Sequence, residues 1–98
     1  MIKVLLVEDD KDYTFIVKNE LESFAGEYEV IIASDGKEGL KKWRETEPDI
    51  IITDIKMPHL NGLEMIKHIR QTNTDIPIIA LTGFAKEPWH IRYVGVDV

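Results

Sequence analysis

Four short apolar runs divide the chain: Val4-Leu5-Leu6-Val7, Val30-Ile31-Ile32-Ala33, Ile50-Ile51-Ile52 and Ile78-Ile79-Ala80-Leu81. Each is too short for a helix and rich in branched residues, so each predicts a β-strand. They are apolar at consecutive rather than alternate positions. That is the pattern of strands covered on both faces, as in a parallel sheet. Between them, apolar residues recur at helical spacing. Tyr13, Ile16, Val17, Leu21 and Phe24 form one face of a helix over 11–24, with Asp10 as a suitable N-cap and Gly26 just past the end. A second helix over 36–46 carries Leu40 and Trp43 and is closed by Pro48. A third follows Asn61-Gly62 with Leu63, Ile66 and Ile69, and Lys67 and Arg70 lie late, where positive charge suits the helix dipole. Pro77 opens the fourth run, a tolerated place for proline in a strand.

The order βαβαβαβ, followed by a short tail, predicts an α/β fold: a doubly wound parallel sheet with right-handed crossovers. The length of 98 residues makes one domain, residues 1–98, the default. With 44% hydrophobic and 31% charged residues the composition is that of a globular chain. The chain has no cysteine, which excludes disulfides, thiolate zinc sites and cysteine nucleophiles. No apolar run approaches the roughly 20 residues of a membrane span and no signal-peptide pattern opens the chain, so a cytoplasmic location is expected.

Charge sharpens this picture. The whole net charge of −6 falls in residues 1–49; the second half is neutral. Nucleic-acid or membrane binding through net charge is therefore not expected. Open parallel sheets bind ligands at the carboxyl ends of their strands. Glu8, Asp9 and Asp10 follow the first run, Asp54 follows the third past Thr53, and Thr82 follows the fourth. Carboxylates from two strands and a hydroxyl from a third can thus meet at one edge. Crowded acids repel unless something neutralises them, and a hard octahedral cation such as Mg²⁺ does so. One carboxylate can then attack phosphorus and form an aspartyl phosphate. Asp10 is assigned to capping. Ser34-Asp35-Gly36, after the second run, reads as an ordinary turn.

These residues resemble the receiver domain of bacterial response regulators. The resemblance runs through Lys3-Val4-Leu5-Leu6-Val7-Glu8-Asp9-Asp10, then Pro48 to Pro58 around Asp54, then Asn61-Gly62-Leu63-Glu64, then Ile76 to Gly83. It implies a flavodoxin-like fold with strand order 2-1-3-4-5. It implies Asp54 as phospho-acceptor and Glu8, Asp9, Asp54 and the backbone carbonyl of Lys56 as Mg²⁺ ligands. Thr82 would be the switch hydroxyl. The phosphoryl donor would be a histidine kinase or a histidine phosphotransfer protein.

The chain departs from the family pattern at its C-terminal end. The lysine and aromatic of the fifth strand, that strand itself and the last helix are not found, so the receiver is expected to be truncated and its fourth strand an open edge. Lys86 is expected to be a solvated loop residue rather than a replacement for that lysine. A homodimer through the tail, residues 84–98, or through the open edge is a further expectation. Alternatives are a pseudo-receiver that binds partners without being phosphorylated, and a doubly wound phosphatase or flavin-binding enzyme. Lys56 stands where the phosphatase pattern needs an aspartate, and carboxylates occupy the place of the flavin phosphate loop. His59, His68 and His90 have no metal-ligand spacing and are expected at the surface. Lys37, Lys41, Lys42 and Arg44 are expected to form a solvated face. Phe24 and Trp43 are expected in the core.

Overall fold

A computed structural model of the chain describes residues 1–24, 26–55, 61–81 and, by backbone alone, 94–95. The elements are β1 (Ile2–Val7), α1 (Lys11–Glu22), β2 (Tyr28–Ala33), α2 (Gly36–Thr46), β3 (Ile50–Asp54), α3 (Gly62–Arg70), β4 (Ile78–Leu81) and β5 (Val94–Gly95). The four apolar runs are thus strands and the three periodic segments are helices. The sheet order is β2-β1-β3-β4-β5. β1 is parallel to β2 and to β3, and β3 is parallel to β4. The strand order reverses after β2, so the carboxyl ends of β1 and β3 flank the crevice where such sheets take ligands.

Alternate residues of the strands bury into two layers. Leu5, Val7, Ile51, Ile78 and Ala80 pack with Leu40 of α2 and Met65, Ile66 and Ile69 of α3. On the opposite face Val4, Leu6 and Val30 meet Val17 and Leu21 of α1. Leu5, Leu6, Val7 and Ile51 are fully buried, as expected of strands covered on both sides.

Each helix begins at a side chain that satisfies its orphan N–H groups. Asp10 accepts from the N–H groups of Asp12 and Tyr13, Asp35 from Glu38, and Asn61 from Glu64. Asp35 is therefore more than a turn residue; it starts α2. α2 ends on Glu47 in the left-handed region at φ 47°, with Pro48 following. Gly26 has a φ of 73°, as its place after α1 requires.

Three expectations are corrected. β4 is not a bare edge: a two-residue β5 pairs with it antiparallel, Gly95 opposite Ile79 and Val94 opposite Ala80. Ile16 is 45% exposed, because α1 turns Tyr13 and Thr14 toward the sheet instead. Phe24 lies beyond the end of α1, is 56% exposed, and makes an edge-to-face contact with Tyr28 rather than joining the core. Trp43 is half-buried against the larger core layer. His68 is exposed, as expected, as are Lys37, Lys41 and Arg44, while Lys42 is half-buried. The expectations for His59, His90, Lys86 and the side chains of the tail lie outside the described residues.

Candidate functional site

Three carboxylates meet at the carboxyl ends of β1 and β3. One oxygen each from Glu8, Asp9 and Asp54 lies within 4.8 Å of the others. Glu8 and Asp54 are each only 2% exposed, and Asp9 is exposed. The topology makes this convergence. β1 and β3 are neighbours with Val7 opposite Thr53, so the residue after each of these two partners falls at the same sheet edge.

Glu8 continues the ladder past the end of β1: its N–H donates to the Ala33 carbonyl at 2.9 Å. Its Oε1 accepts from the Asp10 N–H at 3.0 Å. Burial, first, pushes the Glu8 carboxyl up to about 8; its hydrogen bond with Asp9 and the hydrogen bond and negative charge of Asp54 add to that, while the Asp10 N–H works against it. The cluster thus retains a proton that an isolated glutamate would lose. Asp10 points elsewhere, its Oδ1 accepting from Asp12 and Tyr13 N–H groups at 3.0 and 3.2 Å.

The main chain under Asp54 is held from two sides. The Thr53 hydroxyl donates to the Asp54 carbonyl at 2.8 Å. Gly62, the first residue of α3, donates its N–H to the Ile55 carbonyl at 2.8 Å. A Cβ built on Gly62 would overlap the Asp54 carbonyl oxygen. Ile55 in turn donates to the Leu81 carbonyl at 3.3 Å. In the sequence Gly62 stood in a helix-starting Asn-Gly pair and in the Asn61-Gly62-Leu63-Glu64 stretch of the resemblance; its contact with Asp54 needs the fold.

A second residue gains meaning from the fold. Tyr13 is buried against Leu81, the last residue of β4, and also contacts the layer of Val17, Ile52 and Ile79. Burial, then the charges of Glu8 and Asp54, hold its phenol above the usual range. The signal in the sequence was the Asp10 cap: it sets the start of α1, and the third helical residue then lies over the strand ends.

The set of donors suits a hard divalent ion: oxygen ligands only, convergent, two of them buried, and one carboxyl burdened with a proton that a cation would replace. Glu8, Asp9 and Asp54 are therefore brought together as expected. The expected Lys56 carbonyl and Thr82 hydroxyl lie outside the described residues.

A doubly wound sheet with an acidic cluster at its switch point defines a class, and comparison with known proteins specifies it. A family model of the response regulator receiver domain matches residues 4–98. The chain belongs to the response regulator receiver domain family. It is 36% identical over 96 residues to the alkaline phosphatase synthesis transcriptional regulatory protein PhoP of Bacillus subtilis, covering 98% of this chain and 38% of that protein. It is 39% identical over 97 residues to response regulator ArlR of Staphylococcus saprophyticus, covering 99% of this chain and 42% of that protein. The chain thus spans about two fifths of the length of these curated relatives. Among solved structures, the Vibrio cholerae chemotaxis protein CheY4 matches with a TM-score of 0.76 and 36% identity, covering 83% of this chain and 68% of that one. A chain from the crystal structure of histidine kinase ThkA in complex with response regulator protein TrrA matches with a TM-score of 0.77 and 37% identity, covering 86% and 71%. No helix among the described residues is long and apolar enough to cross a membrane.

Proposed function

We propose that this receiver domain accepts a phosphoryl group on Asp54, from a histidine kinase or a histidine phosphotransfer protein, in a Mg²⁺-dependent reaction. The observation that carries the reading is the meeting of Glu8, Asp9 and Asp54 within 4.8 Å at the end of β1 and β3. Asp54 Oδ attacks phosphorus, the bond from phosphorus to the donor's imidazole nitrogen breaks, and the histidine leaves with the pair of electrons. The product is an acyl phosphate on Asp54. Glu8, Asp9, Asp54 and the carbonyl of Lys56 would hold the Mg²⁺ ion, which when bound neutralises charge on the phosphoryl oxygens.

The chain's own residues prepare the reaction. Thr53 bonds the Asp54 carbonyl and Gly62 packs against it, so the main chain that carries the carboxylate is held in place before a donor arrives. Glu8 gives up its proton as the cation-binding form of the cluster is made. Thr82 follows Leu81, the register partner of Asp54, which supports its role as the switch hydroxyl that turns toward the new phosphoryl group. The domain acts as a switch rather than a metabolic enzyme, and we place it in the cytoplasm, where such donors work.

The test is incubation with Mg²⁺ and a small acyl-phosphate donor, read by intact mass. One added phosphoryl group on the wild type, lost in Asp54→Asn and lost on chelation, is the expected result. An adduct that persists in Asp54→Asn overturns the assignment of the acceptor. No adduct on the wild type favours a domain that binds partners without being phosphorylated.

A further inference from the structure

The outer side of β2 carries an arrangement that phosphoryl transfer does not use. In a sheet ladder the backbone groups of successive residues face alternate sides of a strand. Ala33 shows the inward phase, since its carbonyl accepts from Glu8 of the neighbouring chain segment. Val30 shows the outward phase. Its N–H donates to Glu22 Oε2 at 3.1 Å, and its carbonyl accepts from Lys18 Nζ at 3.4 Å. The two side chains that hold it are themselves paired at 2.8 Å, one turn apart on α1. Lys18 first, and the Val30 N–H second, hold the Glu22 carboxyl below the usual carboxylate range. An exposed ion pair of this spacing ordinarily adds little to stability. This one is anchored through both partners to one residue of a sheet edge.

Outward donors and acceptors on an edge strand are a template for another strand. β2 reads Tyr-Glu-Val-Ile-Ile-Ala, rich in strand formers and free of proline. Tyr28 and Ile32 share the phase of Val30. Antiparallel pairing of two such edges about a two-fold axis at Val30 sets Val30 opposite Val30 and Tyr28 opposite Ile32. Every outward N–H then meets a carbonyl, and Glu29 faces Ile31 instead of a second acid. The edge is self-complementary, and this names its occupant as a second copy of the chain. We propose that the Lys18–Glu22 pair is a latch that keeps the outer edge of β2 closed, and that opening it converts this edge into a homodimer interface made by β2–β2 pairing.

The experiment is sedimentation velocity over a concentration series on the full chain, wild type and Lys18→Ala/Glu22→Ala, with amide hydrogen exchange at Tyr28, Val30 and Ile32. The double variant is expected to dimerise at least about tenfold more tightly than the wild type. Its three amides should gain protection as concentration rises. Adding Ile32→Pro deletes an outward N–H and leaves the β1 ladder whole, so it should return the variant to monomer. A folded double variant as monomeric as the wild type overturns the proposal. So does association that survives Ile32→Pro, or a wild type that already pairs through β2. Should the double change unfold the chain, Glu22→Gln decides: it weakens the hold of Lys18 while keeping an acceptor for Val30. Association intermediate between the two states supports the latch, and wild-type behaviour at the highest concentration overturns it.

Discussion

The first residue of α3, Gly62, lies so close to Asp54 that its missing side chain is what lets the helix seat against the acidic edge. A Cβ there would overlap the Asp54 carbonyl oxygen and crowd the Ile55 α carbon, 3.0 Å away. Helix and strand end share one point of contact, and it lies directly under the candidate phospho-acceptor.

Gly62→Ala therefore reverses the usual sign. Alanine in a helix is ordinarily more favourable than glycine by roughly 1 kcal/mol. Here the added methyl meets rigid backbone, and overpacking of this kind costs about 1–3 kcal/mol. Urea unfolding should show net destabilisation, and phosphorylation from a small donor should slow, because Asp54 is displaced. Gly39→Ala is the comparison. Its nearest neighbour is the Met65 sulfur at 2.6 Å, the flexible end of a side chain, so the helix gain should offset more of the cost and Asp54 chemistry should be unchanged.

The Glu8 carboxyl makes stability depend on pH. Its folded value of about 8 lies above the ordinary 4.5, so between these values the folded chain holds a proton that the unfolded chain has released. Unfolding then liberates a proton, and stability falls as pH rises through this window, by up to about 1.4 kcal/mol per pH unit, levelling above 8. Urea titrations in chelator should show the decline. Mg²⁺ should flatten it by neutralising the cluster, and Glu8→Gln should abolish it. A flat chelator curve for the wild type would contradict the burial and crowding seen at Glu8.

Asp10, next to two candidate ligands, should behave as a cap and not as a ligand. Its Oδ1 closes the first turn of α1 through the Asp12 and Tyr13 N–H groups. Asp10→Ala should cost about 1 kcal/mol, and Asp10→Ser should recover most of it. Calorimetric Mg²⁺ titration should find Asp10→Ser binding the ion, where Asp9→Ala or Asp54→Ala loses it.

Glu47 ends α2 in the left-handed region without the freedom of glycine, directly before Pro48. Glu47→Gly removes the steric penalty at the price of some added chain entropy in the unfolded state. A net stabilisation of up to about 1 kcal/mol is expected in urea unfolding. Phosphorylation should not change, since Glu47 lies at the other end of β3 from Asp54.

The correspondence between sequence and structure is close wherever the physics is local. Branched apolar runs bounded by Gly, Pro and acids specify β1 to β4, and Asp10 and Asn61 start their helices where capping requires. The acids at the candidate site could be read because they directly follow strands, and a parallel sheet sends those ends to one edge. Local periodicity was a weaker guide to exposure. It placed Ile16 and Phe24 on the buried face of α1, yet both are exposed, because a helix buries only the stripe that its neighbours cover.

The residues alone thus determined the order of β1 to β4 and α1 to α3, the parallel pairing of those four strands and the identity of the acidic set, since each follows from local propensity and from side-chain chemistry at strand ends; the antiparallel β5 was not among them. The tertiary structure decided the rest. Glu8 holds its proton because the fold buries its carboxyl and, after that, because Asp9 and then Asp54 of another strand are set against it. Gly62 matters because a strand end from another segment lies against it. Lys18 and Glu22 would be an ordinary surface pair if β2 did not place Val30 beneath them. Each of these depends on a distance between remote segments, and packing, not sequence spacing, sets that distance.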